Sequence, residues 1–229
     1  MESLNLIFNE EFIQQKLKTF NSTDRLSLKD DNFIKSAVVF LIIPYKEKSY
    51  DLVLIRRTSR DGDKHAGEMA FPGGIFDNKF DKTYQDTALR EVEEELGIKS
   101  ENINLIGCLD DHITPKKYII TPFVGYIDEH QKMMKREEEV QEIIKIPISF
   151  FINDKNYRER TYKLKNNIIA VGKYNFRAPN GNKYVIFGAT SHIIVHFIEI
   201  VYDIRLMNQG ARRLICDDFE ARSKKSLNN

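Results

Sequence analysis

Apolar positions change period several times along this chain, and each change marks an element. In "NEEFIQQKLKTF", residues 9–20, Phe12, Ile13, Leu17 and Phe20 fall near one face of a helix. "SAVVFLIIPY" is a short apolar run rich in β-branched residues and stopped by Pro44, which predicts a buried strand. "KEKS" turns the chain and "YDLVLIRR" returns it, so the two segments form a hairpin. Residues 58–67, "TSRDGDKHAG", are polar and broken by glycine, which predicts a loop; "EMAFPGG" is a short strand ending in a turn. From Thr83 to Leu96 the apolar residues Ala88, Leu89, Val92 and Leu96 recur at threes and fours, and Gly97 is a helix stop.

Beyond that helix, "INLIGCLDD" and "YIITPFVGYI" read as strands, and "EEEVQEIIKIPISFFIN" as a strand running into a short helix near Pro147. "RTYKLKNNIIAVGKYNFRAPNGNKYVIFG" reads as two or three antiparallel segments with a turn at "PNGN". "ATSHIIVHFIEIVYDI" reads as a long amphipathic helix. Strands, helix, more strands and a final helix predict an α+β fold, a sandwich with a mixed β-sheet between helices.

Bulk properties narrow the class. The 229 residues, 41% hydrophobic and 30% charged, suit one soluble domain with terminal additions. The expected division is a helical N-terminal extension over 1–30, a main domain over 31–210, and a polar basic tail over 211–229 that carries Arg212, Arg213, Arg222, Lys224 and Lys225. A net charge of +1 gives no single-sign field for nucleic acid or an anionic membrane. No apolar run reaches the ~18 residues that span a bilayer, and "MESLNLIFNEEFIQQ" is no secretory signal. Two distant cysteines, Cys108 and Cys216, make no disulfide framework, so a reduced cytoplasmic setting is the expectation. The assembly state is open, with a homodimer among the options.

The chemistry concentrates at "REVEEELGI". Glu91, Glu94 and Glu95 share one helical face, while Glu93 points elsewhere and is read as solvated. Leu89, Val92 and Leu96 form the opposite, buried stripe. Clustered carboxylates repel unless a cation sits among them, and their hard oxygens suit Mg²⁺ or Mn²⁺.

These residues resemble the second half of the Nudix box, G-x5-E-x7-R-E-U-x-E-E-x-G-U with U apolar. Arg90, Glu91, Val92, Glu94, Glu95, Gly97 and Ile98 fill every fixed position of that half. In the first half, the pattern's glutamate falls on Lys82 and its glycine on Phe76; Gly74 lies sixteen residues before Arg90, so the loop is two residues longer, with Asp77 and Asp81 as its acids. The resemblance implies a Nudix-type α/β/α sandwich and metal-dependent hydrolysis of a nucleoside diphosphate derivative. It implies Glu91 and Glu95 as principal metal ligands, Glu94 as third ligand and catalytic group, and a carbonyl near Gly73 completing the shell. Arg90 is grouped with the catalytic residues, in an ion pair that orients a glutamate. Glu139 and Glu142 lie where the family keeps a further acid, and Glu139 is the one taken as catalytic.

Outside the box, "KHAGEMAFPGG", "TALRE", "ITPFVGYI", "EVQEIIKIPISFF" and "IFGATSHII" are similar to the coenzyme A pyrophosphatase branch. That likeness implies a small-molecule nucleotide substrate, coenzyme A or a relative, bound by Arg57, Arg60, His65 and Phe71. Arg57 fills the branch's first arginine position; the second holds Asp63, with Arg60 available to replace it. The alternatives are hydrolysis of ADP-ribose, NADH or a nucleotide sugar, and a sensor that binds a nucleotide without cleaving it. His192 and His196 stand four apart on the last helix and are read as packed side chains rather than zinc ligands.

Overall fold

The structure, a computed structural model, describes residues 5–58, 67–215 and 218. In chain order the elements are α1 (Glu10–Lys16), β1 (Ile34–Ile43), β2 (Asp51–Arg57), β3 (Met69–Ala70), β4 (Gly73–Ile75), α2 (Tyr84–Leu96), β5 (Asn104–Cys108), β6 (His112–Ile113), β7 (Tyr118–Tyr126) and β8 (Val140–Pro147). There follow α3 (Ile148–Ile152), β9 (Tyr157–Leu164), β10 (Asn167–Arg177), β11 (Lys183–Phe187), α4 (Gly188–Tyr202) and β12 (Ala211–Arg212).

β1 is the spine of an eight-stranded mixed sheet. It runs parallel to β7 along its length, antiparallel to β2 through Leu41–Ile43, and antiparallel to β4 through Ser36–Val38. Successive strand residues face opposite sides, and here both sides are apolar. Ala37, Val39, Leu41 and Ile43 pack with Val53 and Ile55 against Ala88, Val92 and Leu96 of α2. Phe40 and Ile42, with Leu52 and Leu54, pack against Ile194, Phe197 and Ile198 of α4. A helix therefore covers each face of the sheet, and the expected α/β/α sandwich is present. Full burial of Val92 and Leu96 contributes roughly 1.5–3 kcal/mol apiece to anchoring α2.

Three expectations are corrected. The N-terminal helix stops at Lys16, not near Phe20, because Lys18 exchanges backbone hydrogen bonds with Cys108. Phe20 then stacks on Phe123 at 5.6 Å between ring centroids. The last helix is buried on nearly every side rather than amphipathic. A second sheet, β9 to β12, packs on it, and Tyr174, Tyr184 and Ile186 join the same core as Phe40 and Phe197. Finally, Ala211–Arg212, expected as the start of a free tail, pair in parallel with Ile168–Ile169 of β10. Arg222, Lys224 and Lys225 lie outside the described residues. Among the described residues, no helix is long and apolar enough to cross a membrane.

Candidate active site

Helix α2 is fixed at both ends before any tertiary contact. The Thr83 side chain accepts from the Asp86 amide, and the Asp86 carboxylate accepts from the Thr83 amide at 2.8 Å, a reciprocal capping box. At the other end Gly97, at φ 65°, donates its N–H to Glu93 O at 2.9 Å. With the ends set and Ala88, Val92 and Leu96 buried, the carboxylates have little freedom of placement.

Arg90 organises them. Its Nε donates to Asp81 Oδ1 at 2.9 Å and its Nη2 to Asp81 Oδ2 at 3.0 Å, a two-pronged pair. Its Nη1 donates to Glu91 Oε1 at 2.8 Å and to Glu94 Oε1 at 3.2 Å. One guanidinium thus serves three carboxylates. Hydrogen bonds from Arg90 hold the Asp81 carboxyl down at about 2, against the opposing effect of burial. The Arg90 guanidinium is occupied by these acids, the ion pair expected to orient a glutamate. In the sequence Asp81 is only an acid of the lengthened loop. The box pattern points one residue further, to Lys82, whose side chain makes no ion pair among the described residues.

Glu95 is 2% exposed, and its Oε2 accepts from the Gly73 amide at 3.0 Å. Burial raises its pKa to about 8, the Gly73 hydrogen bond opposes that rise, and the Glu91 charge adds to it. Glu91 is also raised, by burial first; Arg90 lowers it, and Glu94 and Glu139 push it up.

Glu139 enters from another element. Between Arg56 and Arg57 the β2–β8 register slips, and the Thr58 amide then donates to Glu139 O at 2.9 Å. This bulge brings Glu139 over α2. Glu91, Glu94 and Glu139 each place a carboxylate oxygen within 4.8 Å of the others'. Glu142 has a different fate: Tyr184 Oη donates to it at 2.5 Å, tying β11 to β8. The acids line a cavity of about 710 Å³ with Arg57, Gly73, Gly74 and Phe80 on its walls. Phe80, on the lengthened loop, is 74% exposed at the rim.

The absence of a side chain at Gly74 leaves the space that the Glu91 carboxylate occupies. A Cβ there would lie 2.3 Å from Cδ of Glu91. At Gly73, φ is 148° and a Cβ would meet the Ala37 carbonyl oxygen at 2.4 Å. The carboxylates thus close directly against bare main chain, an all-oxygen set that suits a hard divalent cation. Glu95, expected as a principal ligand, lines the acid cavity with its Oε2 on the Gly73 amide; Glu139 stands with Glu91 and Glu94.

Of the residues read as substrate-binding, Arg57 lines the acid cavity. Phe71 is 3% exposed, packs on Phe40 at 5.1 Å, and borders a second, apolar cleft. Arg60 and His65, with Asp63, lie outside the described residues. His192 is buried and accepts from the Gly172 amide at 2.9 Å. It is a packed histidine, and no zinc-binding group includes it among the described residues.

A family model described as "NUDIX domain" matches residues 35–159, more than half of the chain. The chain belongs to the Nudix family. It is 40% identical over 96 residues to an uncharacterized Nudix hydrolase, NudL, of Pectobacterium atrosepticum, covering 42% of this chain and 50% of that protein. It is 26% identical over 157 residues to the mouse peroxisomal coenzyme A diphosphatase NUDT7, covering 68% of this chain and 66% of that protein. The matches thus span about half to two thirds of these relatives' lengths. Among solved structures, a MutT/nudix family protein from Enterococcus faecalis superposes with a TM-score of 0.46 at 15% identity, over 78% of this chain and 66% of that one. The Nudix segment holds Arg57, Gly73, Arg90, the three box glutamates and Glu139; β10 to β12 and α4 lie beyond it.

Proposed function

We propose that this protein hydrolyses the diphosphate bridge of coenzyme A or an acyl derivative, with Mg²⁺ or Mn²⁺ bound, giving a phosphopantetheine and adenosine 3′,5′-bisphosphate. The observation that carries the reading is the convergence of Glu91, Glu94 and Glu139 on one cleft beside Arg57. The choice of coenzyme A rests on the sequence likeness to the mouse coenzyme A diphosphatase.

Glu91 and Glu94 from α2 and Glu139 from the β8 side would hold the metal. When bound, a divalent cation neutralises diphosphate oxygens and acidifies water. The chain's own residues do the rest. Arg57 offers a planar fork to a phosphate at the mouth of the cleft. Arg90, locked by Asp81, keeps Glu91 and Glu94 in register. Glu95 holds the Gly73–Gly74 main chain against the helix. Water attacks one phosphorus, a new P–O bond forms there, and the bridging P–O bond breaks.

A panel of coenzyme A, acyl-coenzyme A, ADP-ribose, NADH and nucleotide sugars, each with Mg²⁺ or Mn²⁺ and with products resolved by mass, tests this. Adenosine 3′,5′-bisphosphate released from coenzyme A supports the proposal. Turnover of ADP-ribose alone overturns the substrate assignment. Tight nucleotide binding without any product makes the protein a sensor.

A further inference from the structure

A second cleft, about 450 Å³, adjoins the acid cavity at β4. The two share Arg57, Gly73, Gly74 and Ile75, so one short strand is their common wall. Their chemistry differs sharply. The first is lined by carboxylates and arginines; the second is surfaced mainly by Val38, Met69, Phe71, Ile120, Phe187 and Ile193. Its size falls within the range of about 300–1,000 Å³ usual for small-molecule sites.

Part of that wall, six of its 21 lining residues, comes from beyond the family match. Val171, Phe187, Ala189, Thr190 and Ile193 belong to the second sheet and α4, after residue 159. Two bonds hold this unit at a fixed distance from the Nudix segment. Thr190 Oγ1 donates to Met69 O at 3.0 Å, and Tyr184 Oη donates to Glu142 Oε1 at 2.5 Å. The cleft is therefore a built space with two fixed sides.

We propose that this cleft receives the uncharged arm of the substrate, the pantetheine and any acyl chain on its sulfur, and that α4 and β11 set the selectivity for that arm. The inference rests on the diphosphatase reading above, and it goes further by fixing the substrate's orientation. A diphosphate held at the glutamates has two unlike arms. The adenosine arm carries another phosphate, and taking that charge into a mainly apolar cleft, whose charged lining is confined to Arg57, Glu68 and Lys116, is unfavourable. The pantetheine arm is uncharged, and burial of its methyl and methylene groups, and of any acyl chain, is favourable. It therefore turns inward past Gly74, and the phosphorylated nucleoside stays on the acid-cavity side.

The two product halves separate the subsites, because each reports on its own arm. Inhibition constants for phosphopantetheine and for adenosine 3′,5′-bisphosphate are measured in the full chain and in two variants. Ala189→Phe fills the cleft, and Phe187→Ala removes an exposed part of its wall. Filling should weaken phosphopantetheine at least tenfold and leave the bisphosphate within twofold; Phe187→Ala should weaken phosphopantetheine severalfold. For acyl-coenzyme A, the penalty of Ala189→Phe should grow with chain length and appear in KM. The reverse pattern, loss of bisphosphate binding alone, or no change in either half in a folded variant overturns the proposal. Should Ala189→Phe fail to fold, Phe187→Ala decides alone. If the wild type turns over no coenzyme A ester, the diphosphatase reading falls. Calorimetric titration with the same two halves then still tests the cleft.

Discussion

Asp81 and Arg90 close on each other with two parallel hydrogen bonds, of 2.9 and 3.0 Å, across the base of the lengthened loop. Asp81 is almost fully buried and also accepts from Thr87 Oγ1 at 2.9 Å and from the Asp77 amide at 3.0 Å. The pair joins the loop to the helix and leaves one arm of Arg90 for Glu91 and Glu94.

Asp81→Asn should therefore loosen two glutamates that it never touches. Turnover should fall about tenfold, about 1.4 kcal/mol of transition-state stabilisation, with little change in KM. The same pair gives an acid limb to stability. The Asp81 carboxyl is depressed from 3.8 to about 2, so its contribution is complete above pH 4 and is lost as pH falls toward about 2. That contribution, on the order of 2 kcal/mol, should be missing from the variant's urea-unfolding profile between those limits.

Glu91→Gln, Glu94→Gln and Glu139→Gln should each lower kcat about 10²-fold or more, the scale of losing one charge stabiliser of about 3 kcal/mol. Melting temperature should hold or rise, since like charges are removed. Chelation of divalent ions should abolish turnover with the circular dichroism spectrum intact. Near-normal rates in all three variants would remove the site assignment.

The adjacent glycines should respond differently to one added methyl group. In Gly74→Ala the new Cβ displaces the end of the Glu91 side chain, so activity falls while the fold survives. In Gly73→Ala it meets backbone at Ala37 and Val38, at a φ of 148° that other residues rarely adopt. Destabilisation by about 2 kcal/mol or more is expected there, seen as a Tm lowered by roughly 5 °C. Equal stability of the two variants would contradict the packing described.

Histidine burial predicts a second, milder acid sensitivity. His192 of α4 meets His112 of β6 at 5.4 Å between ring centroids, with the Arg213 charge acting on both and His196 on His112. Burial lowers both values, His192 to about 3, and proton uptake would break its acceptance from Gly172. Folded values below the free imidazole's mean that stability is full above pH 6.5 and declines as pH falls toward about 3. His192 alone should cost about 2 kcal/mol between pH 7 and pH 5, and His192→Gln, which keeps an acceptor, should flatten that slope.

Much of the scaffold follows from local rules that need no partner. β1 buries alternate residues on two helices because its apolar residues are unbroken at period two. α2 begins at Thr83 and ends at Gly97 because a capping box and a left-handed glycine stop a helix wherever they occur. The shared face of Glu91, Glu94 and Glu95 is likewise a property of helical spacing. Tertiary packing decided what those carboxylates meet. Glu139 joins them because a register slip between β2 and β8 lifts it over α2, and no local pattern encodes a slip. Asp81, not Lys82, takes Arg90 because the longer loop folds back on the helix. Glu95 turns inward because the Gly73 amide waits there, and α4 is buried all round because a sheet formed later in the chain lies against it. Spacing along a chain sets which side chains share a face; only the meeting of distant segments sets which faces share a cavity.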